Sequence, residues 1–195
     1  MQPRIETRLS TSEYIALEQE TGEKYEYYNG YVYAMAGGSY EHNTVSGNIF
    51  SEINMKLKGK SCQIMNSDTK LYVESSNTYF YPDAMIICGK KEEAENLKGA
   101  FKNPVVIIEV LSESTEAFDR GDKFDLYRTL PSLRHYVLVK QTEAKVQVYS
   151  RQSPTALWNI RTIEGLENVL DVELSESLKL EIPLSDIYDR IEFGE

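Results

Sequence analysis

Histidine and cysteine are scarce in this chain: 195 residues hold two of each, His42 and His135, Cys62 and Cys88. Zinc sites built from nitrogen and sulfur need more such ligands at close spacing, so any bound metal must be held mainly by oxygen. The cysteines show neither a pairing pattern nor ligand spacing and are expected to be reduced and buried. Positive charge is also short. Lys plus Arg number 21 against 31 Asp plus Glu, a net charge of −10, which argues against long-range attraction to a polyanion. Any nucleic-acid contact then needs a local basic patch or a bridging cation. No apolar run nears the roughly 20 residues of a membrane span, and the opening "MQPRIETRLS" lacks the apolar core of a secretory signal. A soluble, cytoplasmic protein without a membrane partner is expected. No repeat, low-complexity tract or Pro/Gly/Ser linker divides the chain, so residues 1–195 are read as one domain with a sizeable core.

What is present is α/β in character. Ser10 followed three residues later by Glu13 has capping-box spacing for a first helix that ends at Thr21-Gly22. Asn29-Gly30 between two Tyr-rich runs predicts a tight hairpin in which Glu26 faces Tyr33. Val45, Ile49, Ile53 and Leu57 recur every four residues, which predicts a helix from Ser39 to Lys58 with His42 near its apolar stripe. Strands follow as "CQIM", "KLYVE", "TYFYPDAMIIC" and, after the charged loop "GKKEEAENLKGAFKN", "PVVIIEVLS". The apolar run "VVIIEVL" suits a central strand covered on both faces. Thr115 to Leu130 reads as one helix. "RHYVLVK", "AKVQVYSRQ" and "ALWNIRTIEG" read as further strands, and "PLSDIYDRI" as a last short helix.

Two carboxylates interrupt this pattern. Asp83 precedes "AMIIC", and Glu109 sits inside "VVIIEVL". A buried carboxylate must pair, hold a proton or bind a cation. If the two strands are neighbours, their acids converge at one end of the sheet, in an oxygen-rich site suited to Mg²⁺ or Mn²⁺. The plainer alternative is that each acid accepts hydrogen bonds and only fastens a loop. Lys123 shares helical spacing with Leu126, Tyr127 and Leu130, which turns its amine inward and calls for an anionic partner. Its plainest partner is Asp119, one turn earlier, in a surface pair.

The segments "KYEYYNGYVYAMAGGSYEHN", "YFYPDAMIIC", "PVVIIEVLSEST" and "DRGDKFDLYRTLPSLRHYVLV", in this order between about Glu13 and Tyr188, resemble the Uma-type restriction endonuclease family of the PD-(D/E)xK nuclease superfamily. The resemblance implies a restriction-endonuclease-like fold with a central mixed sheet flanked by helices. It implies Pro82-Asp83 as the Pro-Asp element, Asp83 and Glu109 as metal-binding acids, and the Val110 carbonyl as a backbone ligand. Where the superfamily carries a lysine two residues after the second acid this chain has Leu111, and the resemblance shifts that function to Lys123. Glu26 matches an additional acid from an early element; His42 occupies a motif position without an assigned task.

The function implied is a Mg²⁺- or Mn²⁺-dependent endonuclease acting on DNA, with a homodimer expected because cutting both strands benefits from two sites. Leu111 and the acidic net charge motivate a different class, a nuclease-fold module that binds nucleic acid or protein without cleaving. A glycosidase carboxylate pair is a third and remoter reading. The fourteen tyrosines are read as strand packing rather than base stacking. His135 is read as structural, and Ser112, Ser114 and Thr115 as a helix cap.

Overall fold

The structure is a computed structural model that describes residues 7–35 and 37–194; part of the opening stretch read above for a leader lies outside them. Its elements run α1 (Thr11–Thr21), β1 (Tyr25–Tyr28), β2 (Tyr31–Ala34), α2 (Tyr40–Leu57), β3 (Cys62–Asn66), β4 (Lys70–Val73), β5 (Thr78–Phe80), β6 (Ala84–Cys88), β7 (Glu93–Ala94), β8 (Leu97–Phe101), β9 (Val106–Leu111), α3 (Glu116–Arg120), α4 (Asp122–Tyr127), β10 (His135–Lys140), β11 (Lys145–Ser150), β12 (Asn159–Glu164), β13 (Val169–Ser175), β14 (Leu178–Pro183) and α5 (Leu184–Ile187). The expected α/β class holds. Its strands form two mixed six-stranded sheets, ordered β2-β1-β5-β4-β8-β7 and β12-β11-β10-β9-β6-β3, with β13 and β14 as a separate hairpin.

Local chemistry explains the early elements. Ser10 and Glu13 exchange both capping-box hydrogen bonds at the start of α1, and Gly22 ends the helix in the left-handed region. Asn29 and Gly30 both take positive φ, at 54° and 81°, as a two-residue hairpin turn requires. That turn sets Glu26 opposite Tyr33. Tyr14, Tyr27 and Tyr79 pack together under α1, so these tyrosines serve the core.

The second sheet is covered on both faces, as the apolar run of β9 suggested. The Val45, Ile49, Ile53 and Leu57 stripe of α2 buries against one face with Ile108 and Val110. Tyr127 and Leu130 cover the other, packing on Ile107, Leu111 and Tyr136 of the sheet. All six residues of β9 are buried; the strand lies antiparallel to β6 and parallel to β10.

Four expectations need correction. "TYFYPDAMIIC" is two strands in different sheets, because Pro82 has no N–H for a ladder and the chain crosses between sheets there. The charged stretch after it is partly a hairpin, β7 with β8. The helix expected from Thr115 to Leu130 breaks at Gly121, whose φ −110°, ψ −104° is not helical. Cys62 and Cys88 are joined in a disulfide rather than reduced: antiparallel pairing of β3 with β6 sets them directly opposite, which their sequence spacing conceals. No helix among the described residues is long and apolar enough to cross a membrane.

Arg151, buried just after β11, fixes the end of α4. Its guanidinium donates to the carbonyls of Leu133, Arg128, Pro154 and Leu130 and lies over the Trp158 ring. Truncation leaves buried carbonyls unpaired, so Arg151→Met is expected to lower unfolding stability by about 3 kcal/mol. Urea denaturation measures this, and a loss below about 1 kcal/mol contradicts the role.

Candidate active site

The crossing between the sheets puts Asp83 beside the end of β9. The last paired residues of β6 and β9 are Ala84 and Ile108, so beyond them the edge of β9 is free to meet side chains. Asp83 uses it: Val110 N–H donates to Asp83 Oδ2 at 2.7 Å, and Asp83 N–H donates to Glu109 Oε2 at 3.3 Å. In an extended strand the N–H and C=O of one residue leave on the same side, so the Val110 carbonyl faces the Asp83 edge too.

Glu109 points to the other face of the sheet, toward α3 and α4. Its Oε1 lies 2.8 Å from Lys123 Nζ and accepts a hydrogen bond of 2.9 Å from the Tyr127 hydroxyl. Lys123 Nζ also stands 3.4 Å from Glu26 Oε1 on β1 and 3.4 Å from Asp119 Oδ1 on α3. All five side chains are buried. One ammonium therefore faces three carboxylates, with Asp83 next to them.

This imbalance sets the electrostatics. Burial pushes the Glu109 carboxyl up to about 8; Lys123 opposes the rise while the charges of Asp119 and Asp83 add to it. Burial likewise raises Glu26, against the pull of Lys123. For Lys123 burial works against the charge, but Glu109 and Glu26 more than offset it and hold the ammonium well above its ordinary range. Lys123 thus stays charged throughout neutral pH.

On the α2 side, His42 Nε2 lies 3.3 Å from Asp83 Oδ2. Both residues line a cleft of about 300 Å³ with Ser46, Asn66 and Ser67. Burial disfavours the imidazolium, but the hydrogen bond to Asp83 and its charge outweigh this and raise the His42 pKa.

The expected site residues form a chain of contacts: Asp83 meets Val110 and Glu109, and Glu109 meets Lys123. Glu26 touches Lys123. Asp119 is a correction: α3 packs its carboxylate inward, at 3% exposure, so its contact with Lys123 is buried and not a surface pair. Tyr127 was read only as apolar packing, yet its hydroxyl reaches Glu109. The signal for both was the spacing of Asp119, Lys123 and Tyr127 by four. His135 bridges the Ser150 hydroxyl and the Glu173 carbonyl.

With this geometry in hand, similarity to known proteins is informative. The family model Uma2, described as "Putative restriction endonuclease", matches residues 11–185. Two proteins of Synechocystis sp. are relatives: "Uncharacterized protein slr1290" is 34% identical over 188 residues, covering 96% of this chain and 93% of its own. The second, "Uncharacterized protein sll1609", is 35% identical over 143 residues, covering 73% and 81%. A crystal structure from Anabaena variabilis, described as "a putative nuclease belonging to DUF820", superposes with a TM-score of 0.65 at 18% identity, covering 86% of this chain and 90% of that one.

The raised Glu109 carboxyl links stability to pH. Its folded pKa of about 8 lies above the ordinary carboxylate value, so its contribution is full below about pH 4.3 and is lost as pH rises through 8. The metal-free protein is expected to melt at progressively lower temperature from pH 5 to pH 9, and Glu109→Gln to flatten that slope. Calorimetric melting across this range checks it; a melting temperature that holds or climbs contradicts the assignment.

Proposed function

The chain belongs to the Uma2 family, and from that premise we propose that it is a divalent-cation-dependent endonuclease that hydrolyses DNA phosphodiester bonds. Its main support is the convergence of Asp83, Glu109 and Lys123 at the end of β9, where buried negative charge exceeds positive charge. The donor set fits Mg²⁺ or Mn²⁺, which take one or two carboxylates, a backbone carbonyl and waters. Asp83 Oδ2 is engaged by Val110 and His42, while no hydrogen bond among the described residues engages Oδ1. Among those residues no group of three or more His, Cys, Asp or Glu could hold a metal by side chains alone, so the proposed set is two carboxylates completed by the Val110 carbonyl.

When bound, the cation supplies a Lewis acid that polarises the phosphate and lowers the pKa of water. The protein groups do the positioning. Asp83 and Glu109 would hold the cation at the end of β9. Lys123, charged and fixed by Glu109, Glu26 and Asp119, presents a cation to the charge that develops on the phosphate; it holds its proton too tightly to act as base. Tyr127 keeps Glu109 oriented from the side of α4. A bound cation also eases the approach of DNA to a chain of net charge −10. A two-fold homodimer supplies the second site that a double-strand cut requires.

A non-cleaving nuclease-fold module is favoured by one observation: both Glu109 oxygens already have protein partners. Cleavage assays separate the two readings. Supercoiled plasmid and single-stranded DNA are incubated with the protein plus Mn²⁺, Mg²⁺ or chelator. Metal-dependent cleavage is expected, falling about 10²-fold or more in Asp83→Ala and Lys123→Met. Cleavage that survives in chelator or in Asp83→Ala contradicts the nuclease mechanism; metal-independent DNA binding with no cleavage favours the module.

A further inference from the structure

The two carboxylate oxygens of Asp83 are not equivalent. Oδ2 is turned inward to the Val110 N–H at 2.7 Å and is approached at 3.3 Å by His42 Nε2. Both contacts leave Oδ1 as the oxygen free for an incoming cation. The Val110 contact belongs to the sheet and is fixed with it. The His42 contact comes from a different element, the first turn of α2, and needs its own support.

That support is built in around the ring. Ser39 caps α2 by accepting from His42 N–H at 3.1 Å, and its hydroxyl donates to Gln141 Oε1 at 3.1 Å, which ties the helix start to the residue after β10. Asn43 Nδ2 donates to the Gly38 carbonyl at 3.0 Å, folding the preceding loop over the imidazole. A Cβ at Gly38 would lie 2.6 Å from His42 Nδ1, 2.8 Å from Asn43 Oδ1 and 3.0 Å from His42 Cγ, so only glycine lets the backbone close so near. Nδ1 is buried with no hydrogen-bond partner. The anionic Asp83 only accepts, so the contact requires the hydrogen on Nε2. The ring is held by its surroundings in the orientation that points Nε2–H at Asp83.

We propose that His42 is a positioning residue for the metal centre: its Nε2–H fixes Asp83 Oδ2, so that Oδ1 faces the cleft ready to bind the cation. Gly38 is part of the device, because it admits the backbone against the ring. Partners that orient a ligating carboxylate typically account for about 10- to 100-fold in metal affinity. This inference rests on the nuclease reading only in taking Asp83 as a metal ligand.

Direct Mn²⁺ titration, followed by electron paramagnetic resonance of the free ion, tests it without DNA. The wild type, Asp83→Ala, His42→Ala, His42→Gln and Gly38→Ala are compared, each first shown to be folded by its circular dichroism and melting temperature. Glutamine places an amide N–H near the position of Nε2, so His42→Gln is expected to stay within about threefold of wild type. His42→Ala is expected to weaken Mn²⁺ binding about tenfold or more, and Gly38→Ala, which removes no polar group, is expected to weaken it in the same direction. Wild-type affinity in His42→Ala, or equal loss in the alanine and glutamine variants, overturns the positioning role while leaving Asp83 as a ligand. A wild type that binds no Mn²⁺, or binding that persists in Asp83→Ala, overturns both this inference and the metal-dependent mechanism.

Discussion

The ammonium of Lys123 meets Glu109, Glu26 and Asp119 in one buried cluster, and the parts of the fold that carry these residues are arranged around that contact. Three carboxylates out of water are tolerable only if a cation stands among them. Burial, with the charges of Asp119 and Asp83 added, raises the Glu109 carboxyl against the pull of the one lysine. The proposed nuclease reading adds a divalent cation to this charge balance, beside Asp83 at the end of β9.

The topology supplies each partner from a different direction. β1 brings Glu26, the central strand β9 brings Glu109, α3 brings Asp119 and α4 brings Lys123 with Tyr127. Pro82 ends the path of one sheet and delivers Asp83 to the start of β6, an interior strand of the other. Arg151 caps the carbonyls that close α4, so the lysine is anchored on a helix of only six residues. A lysine at position 111 would project from the strand itself. Lys123 instead reaches Glu109 from the covering helix, which makes the site depend on how α4 packs.

Much of this was legible in the sequence because it rests on local chemistry. The Asn29-Gly30 turn fixed the register that faces Glu26 toward Tyr33, and four-residue spacing gave α2 its buried face. The acids in or beside apolar runs marked the site, since a charge at a buried position requires a reason. What could not be read depended on pairing between distant segments. The disulfide needed β3 set against β6, the burial of Asp119 needed α3 laid over the sheet, and the approach of His42 to Asp83 needed α2 placed across the end of β6. The break at Gly121 was hidden by flanking residues with good helical spacing. β13 and β14, whose exposed and buried residues alternate, lay in a stretch given no strand assignment.

Soaking crystals of the protein in Mn²⁺ and locating the ion by its anomalous scattering tests the central claim, that the carboxylate cluster at the end of β9 is completed by one divalent cation. The account predicts a peak within about 2.5 Å of Asp83 Oδ1 and of the Val110 carbonyl, with Lys123 still seated between Glu109, Glu26 and Asp119. A peak that displaces Lys123 and sits on Glu26 and Asp119, or no ion at Asp83 in a well-ordered site, would contradict it.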